Sequence, residues 1–93
     1  MAFTHSQELY KEARQRLVGG VNSGARAFNA VGGNPLFMKR GEGAYIYDAD
    51  DNPYLDYVGS FGPLILGHNP PEVGPHIKEA VDQGTTFGAS TEL

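Results

Sequence analysis

The chain has 93 residues with no cysteine, thirteen glycines and a formal net charge of −4, which allows one small domain at most. Its seven lysines and arginines are scattered, so no basic patch indicates nucleic-acid binding, and no cysteine is available for a disulfide or a thiolate zinc site. A domain of this size buries only about 60–65% of its unfolded surface, and glycine raises the entropy cost of ordering it. The composition therefore disfavours an autonomous fold.

The N-terminus and the apolar runs both argue against export and against a membrane. The segment MAFTHSQELYKE lacks the basic start and apolar run of a secretory leader. The longest aliphatic run is Leu64-Ile65-Leu66, far shorter than a bilayer span. We expect a cytoplasmic protein without a membrane partner.

The first predicted element is a helix over Thr4–Val18. Thr4 and Gln7 have the spacing of a capping box, in which side chains satisfy the free amides at the helix start. Gly19-Gly20 ends the pattern, because glycine tolerates the left-handed backbone that commonly terminates helices. The apolar positions recur every four residues at Leu9, Ala13 and Leu17. This stripe is narrow, so we expect the helix to pack on another surface without deep burial.

A glycine-rich loop follows the helix and leads into three short strand candidates. The strands are predicted over 36–39, 44–48 and 54–58, with turns at 41–43 and 50–53. The middle strand alternates tyrosines with alanine and isoleucine, which is typical of a strand with two different faces. The pattern predicts a small antiparallel meander. Because three strands alone are marginally stable, one face should rest on a larger body.

A second helix is predicted after another glycine-rich stretch over 59–67. Asn69 is a candidate N-cap with Pro70 at the first helical position. Pro75 would clash with the carbonyl four residues earlier in a continuous helix. We therefore expect a short turn over 70–73 and then a helix from about Pro75 to Gln83, closed by a glycine.

Arg26 is the one charged residue in the stretch 18–33. As a solvated loop residue or a helix cap it would have only a structural role. Alternatively, its small neighbours would let a ligand approach the backbone while the guanidinium holds a carboxylate or phosphate by two parallel hydrogen bonds. Ser23 would then add a hydroxyl donor to the same anion. Composition leaves both interpretations open.

Two further side chains have alternative interpretations. Phe61 lies between Ser60 and Gly62, where a large aromatic side chain is either a core anchor or a wall against which a planar ligand stacks. His68 precedes the second helix. Its favoured interpretation is structural, with hydrogen bonds to loop backbone, and acid–base work is the alternative.

Four aspartates lie in or beside the predicted meander: Asp48, Asp50, Asp51 and Asp56. Their spacing lacks the glycine and the glutamate of a calcium loop. We interpret them as turn formers and as solubilising groups on the hairpin, and we predict no metal site. Composition and spacing provide no complete catalytic constellation, so no residue of this chain is predicted to be catalytic.

Taken in order, several motifs resemble the N-terminal region of the glutamate-1-semialdehyde 2,1-aminomutase family, which belongs to the class III pyridoxal-phosphate aminotransferases. The motifs are "GGVNSGARAF", "VGGNPLF", "GAYIYDADDNPYLDYVGSFGP", "LGHNPPEV" and "GTTFGASTEL". The hairpin pattern Y-x-Y-D-x-D-x-x-x-Y-x-D-Y is shared across class III. The arginine-containing loop and the ending in TEL are more typical of the aminomutases.

The resemblance implies an α+β fragment of a fold type I transferase, with an N-terminal helix, the meander and a following helix. Residues 1–33 would form the N-terminal helix and substrate loop. Residues 34–93 would form the meander, the glycine-rich loop and the helix that leads into a large domain holding pyridoxal 5'-phosphate. The essential lysine and the phosphate-binding loop would lie beyond position 93, so we expect an incomplete chain.

By the same resemblance, Arg26 binds the carboxylate of a small amino-aldehyde substrate, Ser23 lies nearby and Phe61 lies beside the substrate. The implied enzyme is a homodimer that converts glutamate-1-semialdehyde to 5-aminolevulinate for tetrapyrrole synthesis. Phe61 stands where the family commonly has tryptophan, and Gly24-Ala25 stand where it has Pro-Val. Another class III aminotransferase is therefore one alternative, and a non-catalytic α+β interaction module is the other.

Overall fold

A computed structural model of the protein describes residues 1–92. Its helices and strands are α1 (Thr4–Arg16), β1 (Met38–Glu42), β2 (Tyr45–Asp48), β3 (Pro53–Leu55) and α2 (Gly74–Gln83). The strands form one antiparallel sheet in the order β1-β2-β3, so each strand pairs with its neighbour in sequence. The predicted arrangement of helix, three-strand meander and helix is confirmed.

The described part of the chain has almost no hydrophobic core. No leucine, isoleucine, valine, methionine or aromatic side chain of residues 1–92 is buried, whereas Val18 is 99% exposed and Ile65 is 89% exposed. The buried residues of this part are Ser6, Gly20, Pro35 and Asp48. The radius of gyration is 16.5 Å, against about 12 Å for a compact chain of this length. Hydrogen bonds and turns, not apolar packing, therefore define this fold.

The start of α1 is capped by the hairpin instead of by its own side chains. The Asp50 carboxylate accepts the amide N–H of His5 on Oδ1 at 2.8 Å and that of Ser6 on Oδ2 at 3.0 Å. Residue Phe3, at the N-cap position, offers no side-chain cap. The predicted capping box of Thr4 and Gln7 is therefore wrong, because the helix begins at Thr4 itself and Asp50 takes two of the free amides.

Replacing Asp50 with alanine should fray the first turn of α1, because two amides would lose a charged acceptor. We expect a loss of about 1–2 kcal/mol in helix stability, measured as faster amide hydrogen exchange at His5 and Ser6. Thr4→Ala is the matched control, since the Thr4 side chain is not the cap. Equal exchange rates in the two variants would contradict the capping role of Asp50.

The C-terminal end of α1 comes two residues before the predicted one, at Arg16. Gly19 and Gly20 follow with φ of 72° and 75°. The prediction that glycines with a left-handed backbone end the helix is therefore confirmed, although the helix ends earlier than predicted. Gly20 also meets a packing demand. A Cβ there would lie 2.6 Å from Tyr10 Cε2 and 2.8 Å from Arg14 Cγ, so only glycine lets the chain pass this close to the helix.

The first hairpin turn is one residue tighter than predicted. Gly41 and Glu42 remain in β1, where they pair with Ile46 and Tyr45, and the chain reverses at Gly43 with φ of 56°. The predicted turn at 41–43 is therefore wrong. Gly41 serves packing, because a Cβ at this position would lie 2.6 Å from Cγ of the His68 ring.

The third strand is shorter than the predicted 54–58, since β3 ends at Leu55. The Asp56 carboxylate explains this end. Its Oδ1 accepts the amide N–H groups of Val58 at 2.8 Å and Gly59 at 3.1 Å. These bonds turn the chain away from the sheet directly after β3.

The second helix follows the prediction to within one residue, because α2 begins at Gly74, ends at Gln83 and carries Pro75 in its first turn. At that position the missing proline N–H has no helical partner to lose. Neither helix formed by residues 1–92 is long and apolar enough to cross a bilayer.

Asn69 does not cap α2 as predicted. The N-cap position is Val73, and the carbonyl of Pro70 accepts the amides of Val73 at 3.1 Å and Gly74 at 3.2 Å. The preceding turn over 71–73 thus separates Asn69 from the helix.

Candidate functional site

The loop around Arg26 is held in a tight turn. Gly24–Ala27 form a 3-10 turn, and Ser23 precedes it in an extended conformation. The Ser23 carbonyl accepts the amide N–H of Arg26 at 3.0 Å. Phe28 then adopts a left-handed backbone with φ of 60°, and its carbonyl accepts the Gly32 amide at 2.7 Å. These two consecutive turns fix the backbone that carries Arg26.

The Arg26 side chain is exposed and has one polar partner within residues 1–92. Its Nη1 donates to Asn22 Oδ1 at 2.9 Å, and no ion pair of the described residues includes it. Arg26 borders a cavity of about 430 Å³ whose wall is largely apolar, with Leu17, Val21, Leu36, Phe37 and Met38. A guanidinium with free donors beside an apolar cavity suits a small ligand with one carboxylate.

Ser23 contributes to the turn through its backbone. Its hydroxyl makes no capping hydrogen bond to the turn. Ser23 does not line the cavity beside Arg26. A role for its hydroxyl in binding an anion therefore stays a prediction.

Phe61 lies on a different turn, formed by Gly59–Phe61. The ring is 84% exposed, so the interpretation as a core anchor is wrong within residues 1–92. Ser60 and Phe61 have φ of 55° and 65°, a left-handed backbone that costs a non-glycine residue roughly 1–2 kcal/mol. Phe61 does not line the cavity beside Arg26. Its role as a wall against a ligand stays a prediction.

His68 and Asp56 form a pair that sequence reasoning missed. His68 Nε2 lies 2.6 Å from Asp56 Oδ2, with the two side chains 19% and 9% exposed. The hydrogen bond from His68, followed by the amides of Val58 and Gly59, holds the pKa of Asp56 below its ordinary value. The His68 ring contacts a carboxylate instead of the predicted loop backbone, and its structural role stays a prediction. Asp56 and His68 lie twelve positions apart, and no local sequence pattern indicated the contact.

Asp48 is the centre of a second polar cluster at the end of β2. The carboxylate is fully buried and accepts four hydrogen bonds. Oδ1 accepts hydrogen bonds from the backbone amides of Asp50 and Asn52, both at 2.9 Å. Oδ2 accepts hydrogen bonds from the Asn52 side-chain Nδ2 at 2.9 Å and from the Tyr54 hydroxyl at 2.8 Å. The turn-forming role predicted for Asp48 is confirmed, whereas a solubilising role is wrong for this buried residue.

The electrostatics of this cluster follow from its hydrogen bonds. Burial acts to raise the pKa of Asp48, but the donors on Asn52, Tyr54 and Asp50 outweigh it and hold the pKa below its ordinary value. Burial raises the pKa of Tyr54 to about 12, and the hydrogen bond that Tyr54 makes with the charged Asp48 carboxylate acts in the same direction. Asp51 differs from Asp48, since it is exposed and pairs with Lys39 Nζ at 2.7 Å.

The described residues do not form a site for a metal ion or for a cofactor with a reactive carbonyl. Groups of three or more metal-ligating side chains are absent from residues 1–92. A lysine that bonds covalently to such a cofactor needs a desolvated environment. The lysines of this part, Lys11, Lys39 and Lys78, are all exposed. These lysines are therefore assigned no bond to a cofactor, and the prediction places pyridoxal phosphate mainly on residues beyond this chain.

The family model described as aminotransferase class-III matches residues 27–92. A glutamate-1-semialdehyde 2,1-aminomutase of Heliobacterium modesticaldum is 55% identical over 91 residues, which are 98% of this chain and 21% of that protein.

Solved structures of a transaminase and of an aminomutase superimpose on this fold. A transaminase with PLP bound superimposes with a TM-score of 0.83 at 33% identity, over 99% of this chain and 21% of that one. A glutamate-1-semialdehyde aminomutase of Pseudomonas aeruginosa PAO1 superimposes with a TM-score of 0.79 at 28% identity, over 96% of this chain and 19% of that one. The chain thus spans about a fifth of the length of these relatives.

Proposed function

Since the chain belongs to the class-III aminotransferase family, we propose that it is the N-terminal portion of a pyridoxal-phosphate aminomutase that converts glutamate-1-semialdehyde to 5-aminolevulinate. The observation that carries the choice of reaction is the 55% identity to an aminomutase over 98% of this chain. The geometry around Arg26 is compatible with it, because the substrate is small and has one carboxylate.

In this proposal the chain supplies substrate binding. Arg26 holds the substrate carboxylate by two parallel hydrogen bonds, and the apolar cavity beside it receives the carbon chain. Ser23 adds a hydroxyl donor to the same carboxylate, and Phe61 forms a wall beside the substrate. The fixed turn at Gly24–Ala27 supports this role, since a backbone that is already ordered loses little freedom on binding.

The cofactor in this proposal is pyridoxal 5'-phosphate, which supplies an electron sink and carries the amino group. Because the lysines of residues 1–92 are exposed, we assign no cofactor contact to them. The cofactor site and the catalytic lysine lie in the part of the enzyme that follows. The division into residues 1–33 and 34–93 belongs to the same proposal.

The assembly and location are also proposed. Exposed apolar side chains across residues 1–92 support burial against a large domain and a second subunit in a homodimer. We also place the enzyme in the cytoplasm with a small amino-aldehyde substrate. The net charge of −4 and the scattered cations support the absence of nucleic-acid and membrane partners.

The coding region tests the proposal first. We expect the reading frame to continue for several hundred codons past Leu93 and to encode a lysine after an apolar strand. This expectation follows from the comparison with the aminomutase, because the chain matches only 21% of that protein's length. A stop codon directly after Leu93 would contradict the proposal, and a non-catalytic interaction module would replace it. Such a module should melt cooperatively as a monomer.

Another class III aminotransferase is the second candidate, since the transaminase with PLP bound matches this fold as well as the aminomutase does. Substrate assays separate the two. The aminomutase converts glutamate-1-semialdehyde without a second amino compound, whereas an aminotransferase needs a separate donor and acceptor. Turnover only with such a pair would select the second candidate.

A further inference from the structure

We propose that Asp56 and His68 are positioning residues that fix the Gly59–Phe61 turn and thereby set where the Phe61 ring meets the substrate. This inference rests on the function proposed above, in which Phe61 lies beside the substrate. Neither side chain needs to touch the substrate itself.

Both oxygens of the Asp56 carboxylate hold this turn. Oδ1 accepts the amides of Val58 at 2.8 Å and Gly59 at 3.1 Å, which are the residues that open the turn. Oδ2 is bonded to His68 Nε2 at 2.6 Å. The carboxylate therefore cannot rotate away from the turn without losing the imidazole.

His68 is itself anchored to the β1–β2 hairpin. Its amide donates to the Gly43 carbonyl at 2.8 Å, and its carbonyl accepts the Gly43 amide at 3.0 Å. The imidazole lies against Gly41, where a Cβ would come within 2.6 Å of the ring. The Asp56–His68 pair thus ties the turn to the sheet.

The turn needs this anchor because its other hydrogen bonds within residues 1–92 are local: the Phe61 amide donates to the Val58 carbonyl at 3.1 Å, and the Gly62 amide to the Gly59 carbonyl at 3.1 Å. Gly59, Ser60 and Phe61 are all left-handed, with φ of 56°, 55° and 65°, and two of them have side chains that disfavour this conformation. The Phe61 ring is 84% exposed, so packing within these residues does not hold it. The backbone conformation decides where the ring lies, and the Asp56 carboxylate binds the amides at the start of that backbone.

The test is a kinetic and exchange comparison in the full-length enzyme with glutamate-1-semialdehyde as substrate. Asp56→Ala should raise the Michaelis constant roughly tenfold with a smaller change in kcat, and should speed amide exchange in residues 57–64. His68→Leu should do the same. His68→Gln should recover most of the wild-type behaviour, because its amide can still donate to Asp56. Asp82→Ala, an exposed aspartate on α2, is the control and should match the wild type.

A double variant separates positioning from a general structural role. If Asp56 acts through Phe61, adding Asp56→Ala to Phe61→Ala should raise the Michaelis constant no further than Phe61→Ala alone. Additive effects, unchanged exchange in residues 57–64, or failure of His68→Gln to differ from His68→Leu would each overturn the proposal.

Failure of the proposed function has a different signature, which is the absence of glutamate-1-semialdehyde turnover in the wild-type enzyme. An unchanged Michaelis constant in Phe61→Ala would remove Phe61 from the substrate site and overturn this inference with it. A raised constant in Phe61→Ala with a wild-type constant in Asp56→Ala would keep the proposed function and overturn only the positioning roles.

Discussion

Arg26→Ala should raise the Michaelis constant for glutamate-1-semialdehyde about 100-fold in the full-length enzyme and leave the absorbance of the bound cofactor unchanged. The reason is that two charge-assisted hydrogen bonds to the substrate carboxylate are lost together. The guanidinium has only Asn22 as a polar partner within residues 1–92, so its removal leaves no buried charge behind. The effect should therefore fall on binding instead of on stability.

Two variants sharpen this result. Arg26→Lys keeps the charge but loses the planar fork, so its constant should lie between those of the wild type and the alanine variant. Arg16→Ala removes an exposed arginine that pairs with Glu12 at 2.8 Å on α1, and it should not change the constant. A wild-type constant in Arg26→Ala, or an equal effect in Arg16→Ala, would remove Arg26 from the substrate site.

Local signals in the sequence predict the helices and strands of this fold well. The start and end of α2 follow from Pro75 and the glycine after Gln83, and both appear within one residue of their predicted places. The three strands follow from alternation and turn residues. These signals succeed because they depend on neighbours in the chain, which a sequence shows directly.

Some of the errors occur where a distant residue decides the local structure. Asp50 caps α1 across some forty-five positions, so the capping residue could not be found beside the helix. Gly41 lies against the distant His68 ring, so its glycine serves this contact instead of the predicted turn. In both cases a short polar side chain or a glycine has a partner that only the folded chain brings near. The early end of β3 is a local error, since Asp56 accepts amides only two and three residues ahead.

The candidate site divides in the same way. The low charge around Arg26 left an anion-binding role open, the family resemblance favoured that role, and the structure places the guanidinium beside an apolar cavity. Phe61 was identified by resemblance, but nothing in its own stretch indicated that Asp56 and His68 hold its turn. The supporting residues are ordinary turn formers by composition, so their role requires the geometry.

Asp48→Ala should destabilise the protein by roughly 3 kcal/mol, because four part-buried hydrogen bonds to a fully buried carboxylate are lost. The donors are the amides of Asp50 and Asn52, the Asn52 side-chain amide and the Tyr54 hydroxyl. The loss also releases Asp50, which caps α1. Urea unfolding of the full-length enzyme at about pH 7 measures the change. Asp51→Asn, at an exposed aspartate paired with Lys39, should stay close to the wild type.

The pH dependence of stability tests the same cluster when the alanine variant does not fold. The folded-state pKa of Asp48 is lowered from an unfolded value of about 3.9. Its stabilisation is therefore complete above the unfolded pKa and is lost as the pH falls through the folded pKa. Asp48→Asn keeps an acceptor for the two backbone amides but cannot titrate, so it should be weaker near neutral pH and lose less stability on acidification. The pKa of Asp56 is also lowered. This carboxylate is still present in Asp48→Asn, so the variant should still lose some stability at low pH. An acid-induced loss in Asp48→Asn as large as in the wild type would show that the buried carboxylate does not govern stability here.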